Sequence, residues 1–350
     1  MFEQFGFEII TPMQVSFVFA LIIGVLFGAL AQHLKFCFRS AVVGDKDAKP
    51  VARGIWFTAL GSALLGTQIL VAYDYVTFSD HRLLSQDIPI FAIVLGGLMF
   101  GIGMVHTRGC ISRLTILAGT GNLRALSVVI VFSVVAHATL KGVLAPTRVW
   151  LGSATISLGQ TTSLADLPGG ATFWAGALSV IVFLLAYNSG INWRQAVLAF
   201  ILGILVPSAW LGTGFILQDD FDPIAMQSLS FTSPVADLLF WTIASSSIPV
   251  GFGVGLILGV IFGAAIASLS KGEFVWQTFE TPQQTKNYFF GASLMGLGGV
   301  LAGGCTIGAG LSGVPTLGIA AFVALASITI GGLLAKYLSS PERRSTLGAH

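Results

Sequence analysis

Three cysteines are the residues in this sequence best equipped for chemistry, and their surroundings are alike. Cys37 closes the run Leu34-Lys35-Phe36, Cys110 closes Thr107-Arg108-Gly109, and Cys305 closes Gly303-Gly304. Each thiol therefore has a basic residue, a glycine or both within two positions. A free cysteine in an apolar chain is most often a small buried hydrophobe. At a helix terminus it gains a second role, because the unpaired backbone N–H groups there attract anions. An odd number of cysteines argues against a disulfide framework, and the absence of C-x-x-C gives no sign of a thioredoxin-like or quinone-linked site. Three cysteines and five scattered histidines could bind a soft metal. No carboxylate falls inside an apolar run to oppose a cation, however, and no Met-rich tract is present. Thiols, glycine amides and the basic side chains Lys35, Arg39, Arg108 and Arg113 suit a soft anion better. The same four basic residues also fall where a membrane protein carries its cytoplasmic charge, which accounts for them without any site.

The elements that must position these residues repeat four times. FGALAQHLKFC ends at Cys37, FGIGMVHTRGC at Cys110, LGILVPSAWLG at Gly212 and MGLGGVLAGGC at Cys305. Nine residues before each end stands a glycine: Gly28, Gly101, Gly203 and Gly296. Four residues earlier stands Gly24, Gly97, Ala199 or Ala292, a small-xxx-Gly pattern that lets helices approach closely ahead of a break. Three of the four ends are the only cysteines in the chain.

The composition names the solvent these helices sit in. Of 350 residues, 55% are hydrophobic and 9% charged, against about 25% charged in an ordinary soluble domain. That excludes a soluble enzyme and a disordered chain, and a net charge of +2 is too small for nucleic-acid binding. The apolar runs are continuous, so a β-barrel is disfavoured. Nine runs are long enough to span a bilayer: 15–36, 54–74, 89–107, 123–144, 172–188, 195–216, 249–269, 287–304 and 313–336. A shorter run near 236–247 is expected to be interfacial or re-entrant. The N-terminus, MFEQFGFEII, has two acids and no basic residue, unlike a cleaved signal peptide, so the first run is expected to remain.

With the N-terminus outside, fourteen of the seventeen basic residues, among them Lys46, Lys49, Arg53, Arg124, Arg343 and Arg344, gather inside. Only Arg82, Lys141 and Arg148 lie outside, with Asp74, Asp80, Asp87, Asp219, Asp220 and Asp222. The expectation is an all-α polytopic membrane protein with its C-terminus inside. Segments leading to Cys37 and Cys110 then run inward and those leading to Gly212 and Cys305 outward. The chain thus reads as one transmembrane domain over 1–350, with inverted halves at about 15–150 and 195–338 and helix 172–188 as connector.

Of the remaining polar residues, His33 and His106 fall near inner helix ends. His137 and Lys141 stand one turn apart near the outer face. Lys141 and Arg148 are candidates for an anion-gathering vestibule, with ordinary snorkelling as the alternative. The connections 145–171 and 217–248 read as ordered loops. No P-loop, G-x-S-x-G elbow or H-E-x-x-H pair occurs.

The F-C after a Gly-containing first helix, the R-G-C ending the third and the G-G-C-x-x-G near the C-terminus resemble the YeeE/YedE sulfur-transport family, from about residue 15 to 338. The resemblance implies an inner-membrane protein of nine helices plus short half-helices, with four buried central loops. It implies uptake of thiosulfate, with Cys37, Cys110 and Cys305 passing the anion inward through transient S–H···S contacts. Lys35, Arg108, Gly109, Gly304 and Gly212 would belong to the same central loops. It implies no cofactor and no catalysis, and a TusA-type sulfurtransferase as a common partner. A neutral thiol donates weakly to a soft, poorly hydrated dianion, which suits conduction better than a lysine trap. Uptake is then expected to fall as external pH rises toward the thiol value near 8.5. Two alternatives stay open: transport of another reduced sulfur or selenium anion, and a membrane thiol protein relaying persulfide to a cytosolic partner.

Overall fold

The computed structural model describes residues 11–79, 81–159, 161–219 and 222–339. Asp80, Asp220, Arg343 and Arg344, which entered the expected orientation, and the N-terminal stretch read against a signal peptide lie outside the described residues. Helices dominate: α1 (Pro12–His33), α2 (Phe38–Val43), α3 (Ala48–Ala72), α4 (Ile90–His106), α5 (Ile111–Gly119), α6 (Leu123–Lys141) and α7 (Ala145–Ser153). They continue as α8 (Gly170–Tyr187), α9 (Trp193–Leu211), α10 (Thr232–Ile243), α11 (Phe252–Ser270), α12 (Pro282–Leu301) and α13 (Ile319–Leu338). Two two-residue strands, β1 (Asp87–Ile88) and β2 (Ile156–Ser157), form a small antiparallel ribbon. Among the described residues, nine helical segments are long and apolar enough to cross a membrane, and they correspond one to one with the nine expected spans. The fold is that of an all-α polytopic membrane protein.

The helices begin where local chemistry dictates. At α1, Thr11 Oγ1 accepts from the Gln14 N–H at 3.3 Å and Gln14 Oε1 accepts from the Thr11 N–H at 3.2 Å, with Pro12 opening the first turn. Thereafter glycine governs packing. All four glycines of the repeat abut a neighbouring helix. A Cβ on Gly28 would strike the Val260 carbonyl of α11, and one on Gly101 the Ile328 carbonyl of α13. One on Gly203 would strike Ala59 and Ser62 of α3, and one on Gly296 would stand 3.0 Å from the Phe132 carbonyl of α6. The α1–α11 seam is reciprocal, because Gly259 and Gly263 press equally on Leu21 and Val25. In a bilayer, where burial of apolar surface no longer drives helix association, such backbone contact supplies the van der Waals attraction instead.

One connection is more helical than expected: residues 145–153 form α7. The short helix expected near 236–247 is α10, at 232–243. Pro146 and Pro234 sit in the first turns of the two, where a missing N–H is no loss. The α7–α8 connection is pinned to the far end of the protein. Leu164 N–H donates to the Leu317 carbonyl at 2.9 Å and Ile319 N–H to the Thr162 carbonyl at 3.1 Å.

Candidate functional site

Three of the four repeat ends share one backbone design. Helices α1, α4 and α12 each stop at a residue in the left-handed conformation: Lys35 (φ 50°), Arg108 (φ 57°) and Gly303 (φ 73°). Each lies two positions before its cysteine. Behind Lys35 the full double bond of a Schellman cap is present, with Lys35 N–H on the Gln32 carbonyl at 3.2 Å and Phe36 N–H on the Ala31 carbonyl at 2.9 Å. The cysteine then leads into the next element: Cys37 precedes α2, Cys110 precedes α5 and Cys305 precedes a wide π-helical turn, Thr306–Gly313. The half-helices α2 and α5 and this turn are the short elements the resemblance implied.

The fourth end differs. Trp210, at the position matching Lys35, Arg108 and Gly303, stays helical, and Gly212 (φ −60°) passes into a π-helical turn, Gly212–Ile216, without a reversal. Gly212 serves packing: a Cβ there would strike the Phe19 ring of α1. Gly304 is a similar close approach: a Cβ there would stand 2.9 Å from the Ala309 amide nitrogen. Gly109 is buried, and its carbonyl accepts from Thr107 Oγ1 at 2.9 Å.

All three thiols are free and buried, with exposures of 7% for Cys37, 1% for Cys110 and 0% for Cys305. The Cys37 and Cys110 thiols lie within interaction range of one another. Cys110 Sγ also faces Ser112 Oγ at 3.2 Å. The Arg113 guanidinium lies within electrostatic reach of both thiols, and its Nη1 donates to Gln32 Oε1 at 3.1 Å. Cys305 stands apart: among the described residues no hydrogen bond joins it to either thiol. Its sulfur accepts from the Gly308 N–H at 3.4 Å, which leaves the S–H free to donate. From Cys37 a file of buried rings leads off, Phe36 to Phe27 at 6.2 Å and Phe27 to Phe231 at 5.6 Å, and Ser230, next to Phe231, borders Gly308.

Gly308 also lines a vestibule of about 540 Å³ that opens on the side away from Lys35 and Arg108. Its wall carries His81, Arg82, Trp210, Ser228, Ser230 and Asp237. The Trp210 indole N–H is buried with no hydrogen-bond partner among the described residues. Phe78 and His81 stand edge-on to it at 5.0 and 5.3 Å, fixing its plane. Burial, and then the charge of Arg82, push the His81 pKa down to about 4. Its Nδ1 accepts from the Leu83 N–H at 3.3 Å, in keeping with a neutral ring. Burial raises the Asp237 carboxyl above its ordinary value, opposed by Lys141 and His137.

The sequence therefore missed the vestibule's walls. Arg148 does not reach it: Nε and Nη2 donate to the Thr139 and Leu140 carbonyls at 3.2 and 3.4 Å and cap α6. Lys141 acts only at its edge, through Asp237. His137 is stacked on Phe240 at 3.4 Å. At the opposite face, His106 and Arg108 line a polar pocket of about 330 Å³ with Arg124 and Glu280, which form an ion pair at 3.2 Å. Lys35 and Arg108 are exposed there.

The profile of the Sulphur transport family matches residues 33–334. The chain is 26% identical to the thiosulfate transporter TsuA of Spirochaeta thermophila, over 89% of this chain and 95% of that one. It is 27% identical to the thiosulfate transporter TsuA of Escherichia coli K12, over 93% and 96% respectively. A match that runs through all three cysteine breaks, from the end of α1 to the last turns of α13, settles the assignment: this chain belongs to the sulphur transport family.

Proposed function

We propose that the chain carries thiosulfate into the cell, from the vestibule past Cys305 and the phenylalanine file to Cys37, Cys110 and Arg113. The observation that carries this is the pairing of two buried thiols under a guanidinium at one end of a core whose other end holds a third thiol behind an open vestibule. Arg82 and the free Trp210 N–H suit the sulfonate oxygens of the dianion. Both offer donors, and the indole N–H adds one without a charge that would trap the anion. The sulfane sulfur, soft and weakly hydrated, would then meet the S–H of Cys305. The thiol pair of Cys37 and Cys110 receives it, and Arg113 offsets its charge where water is scarce. The names of the two relatives favour thiosulfate among reduced sulfur anions.

The protein is read as an inner-membrane protein with the N-terminus periplasmic, so that the vestibule faces the periplasm and Lys35 and Arg108 the cytosol. Two inverted halves, 15–150 and 195–338, are supported by exchanged seams: α1 on α11 mirrors α9 on α3, and α4 on α13 mirrors α12 on α6. A TusA-type sulfurtransferase is the expected cytosolic acceptor. Purified protein in sealed liposomes tests the proposal. Labelled thiosulfate should accumulate without any partner, and sulfate should compete poorly. Absence of flux, with one added sulfur on a cysteine by intact mass, would instead favour a persulfide relay protein.

A further inference from the structure

Arg113 has an unusual partner. Beneath the two thiols, its guanidinium is met by a neutral carboxamide, Gln32 Oε1 at 3.1 Å, and a carboxylate stands one step behind: Gln32 Nε2 donates to Glu273 Oε2 at 3.3 Å. Three elements meet in this chain: the last turn of α1, the first turn of α5 and the residue after the α11 cap. Gln32 is buried at 6% exposure, whereas Glu273 stands at the rim. The backbone of Glu273 is fixed. Gly272 (φ 65°) reverses the chain behind α11, and Glu273 N–H donates to the Ser268 carbonyl at 2.9 Å, completing a Schellman cap. Glu273 lies within electrostatic reach of Arg113 without a direct ion pair.

We propose that Glu273 is a tethered release group, a fixed carboxylate that competes with the transported anion for Arg113 and drives it off toward the cytosol. The inference rests on the anion path proposed above. A direct Arg113–Glu273 pair would cancel the cation and leave nothing for the anion to bind. No carboxylate at all would leave the dianion held by a cation in a poorly solvated site. With Gln32 interposed, the guanidinium remains available, while a negative charge at a fixed position repels the occupant. Gln32 orients this arrangement through its dipole, with oxygen toward Arg113 and amide hydrogen toward Glu273. Binding strong enough to admit an ion but weak enough to let it leave is the requirement for passage.

Glu273→Gln tests the proposal, because it removes the charge yet keeps an oxygen that accepts from Gln32. Labelled thiosulfate uptake by proteoliposomes is measured against concentration, with thermal melting alongside, for wild type, Glu273→Gln and Glu273→Asp. The expected result for Glu273→Gln is a KM lowered about threefold or more together with a lower maximal rate. Glu273→Asp, which keeps the charge, should stay near wild type in both. A Glu273→Gln variant with wild-type KM and rate would overturn the proposal. So would a raised KM accompanied by a lower melting temperature, which would mark Glu273 as structural. Wild-type liposomes with no thiosulfate flux would refute the proposed function itself, a separate outcome.

Discussion

Lys35 and Arg108 occupy a backbone conformation that suits glycine, which makes their side chains testable apart from the fold. A left-handed residue other than glycine costs roughly 1–2 kcal/mol. Gly303 holds the matching position before Cys305 without that cost. Neither Lys35 nor Arg108 donates a hydrogen bond from its side chain among the described residues, and both are exposed. Replacing either by glycine therefore relieves backbone strain and removes only charge. The gain is offset by about 0.4–1 kcal/mol of extra unfolded-state entropy, so Arg108→Gly should be as stable as wild type or more stable by up to about 1.6 kcal/mol. Arg108→Ala keeps the strain and should melt below Arg108→Gly. Transport should move the other way. A unit charge about 7 Å from a dianion in water attracts it by about 1 kcal/mol, roughly halved by physiological salt, so each substitution should reduce anion handling about two- to fivefold. Lys35→Gly/Arg108→Gly combined should reduce it about 25-fold at low salt, and the deficit should shrink at high salt. Uptake of labelled thiosulfate at two ionic strengths, beside melting in detergent, reads both effects. Wild-type uptake by the double variant at low salt would refute the assignment and return these residues to positive-inside charge alone.

Other outcomes follow from the same geometry. Trp210→Phe keeps the ring that Phe78 and His81 pack against but deletes the free indole N–H, so KM for thiosulfate should rise about tenfold with little change in melting temperature. Acidifying the vestibule side should tighten capture, because Asp237, whose carboxyl burial pushes up, loses negative charge and His81, near 4, gains positive charge. Asp237→Asn should bind more tightly at neutral pH and lose the carboxylate's share of that dependence. The same depressed His81 value means that the unfolded chain takes up the proton first, so stability should fall as pH drops from 6.5 toward about 4. Copper phenanthroline, removing two electrons and two protons, should join Cys37 to Cys110 in one S–S bond. Peptide mapping should then find Cys305 still free, and a Cys305-containing disulfide would contradict the pairing.

The nine spans were legible because each is a continuous apolar run, and the four glycines because helix contact in a bilayer requires a missing side chain at a fixed spacing. Cysteine placement at helix ends was legible too, since Lys35, Arg108 and Gly303 stand at the same distance from a thiol. Gly212 matched the pattern by residue type but not by backbone, because Trp210 lacks a reason to turn left-handed and the helix runs on. The vestibule was hidden for a different reason. His81 and Arg82 sit in an ordinary connection after α3, and only the packing of α9 and α10 against it creates a wall. For Arg148 the two readings stayed open, because counting charge by face cannot show that a side chain turns back onto the α6 carbonyls. Arg113 was visible as a basic residue, but its link to Gln32 spans 81 residues of sequence and has no local signal.

The central claim is that the anion moves past neutral thiols, and a cysteine series in proteoliposomes tests it most directly. Initial rates of labelled thiosulfate uptake would be compared for wild type, Cys110→Ala, Cys305→Ala and the corresponding serines, each reconstituted at equal density. The account predicts that each alanine variant loses at least about tenfold in rate, with serine, a harder donor, restoring only part. Alanine variants that fold and transport at the wild-type rate would contradict it.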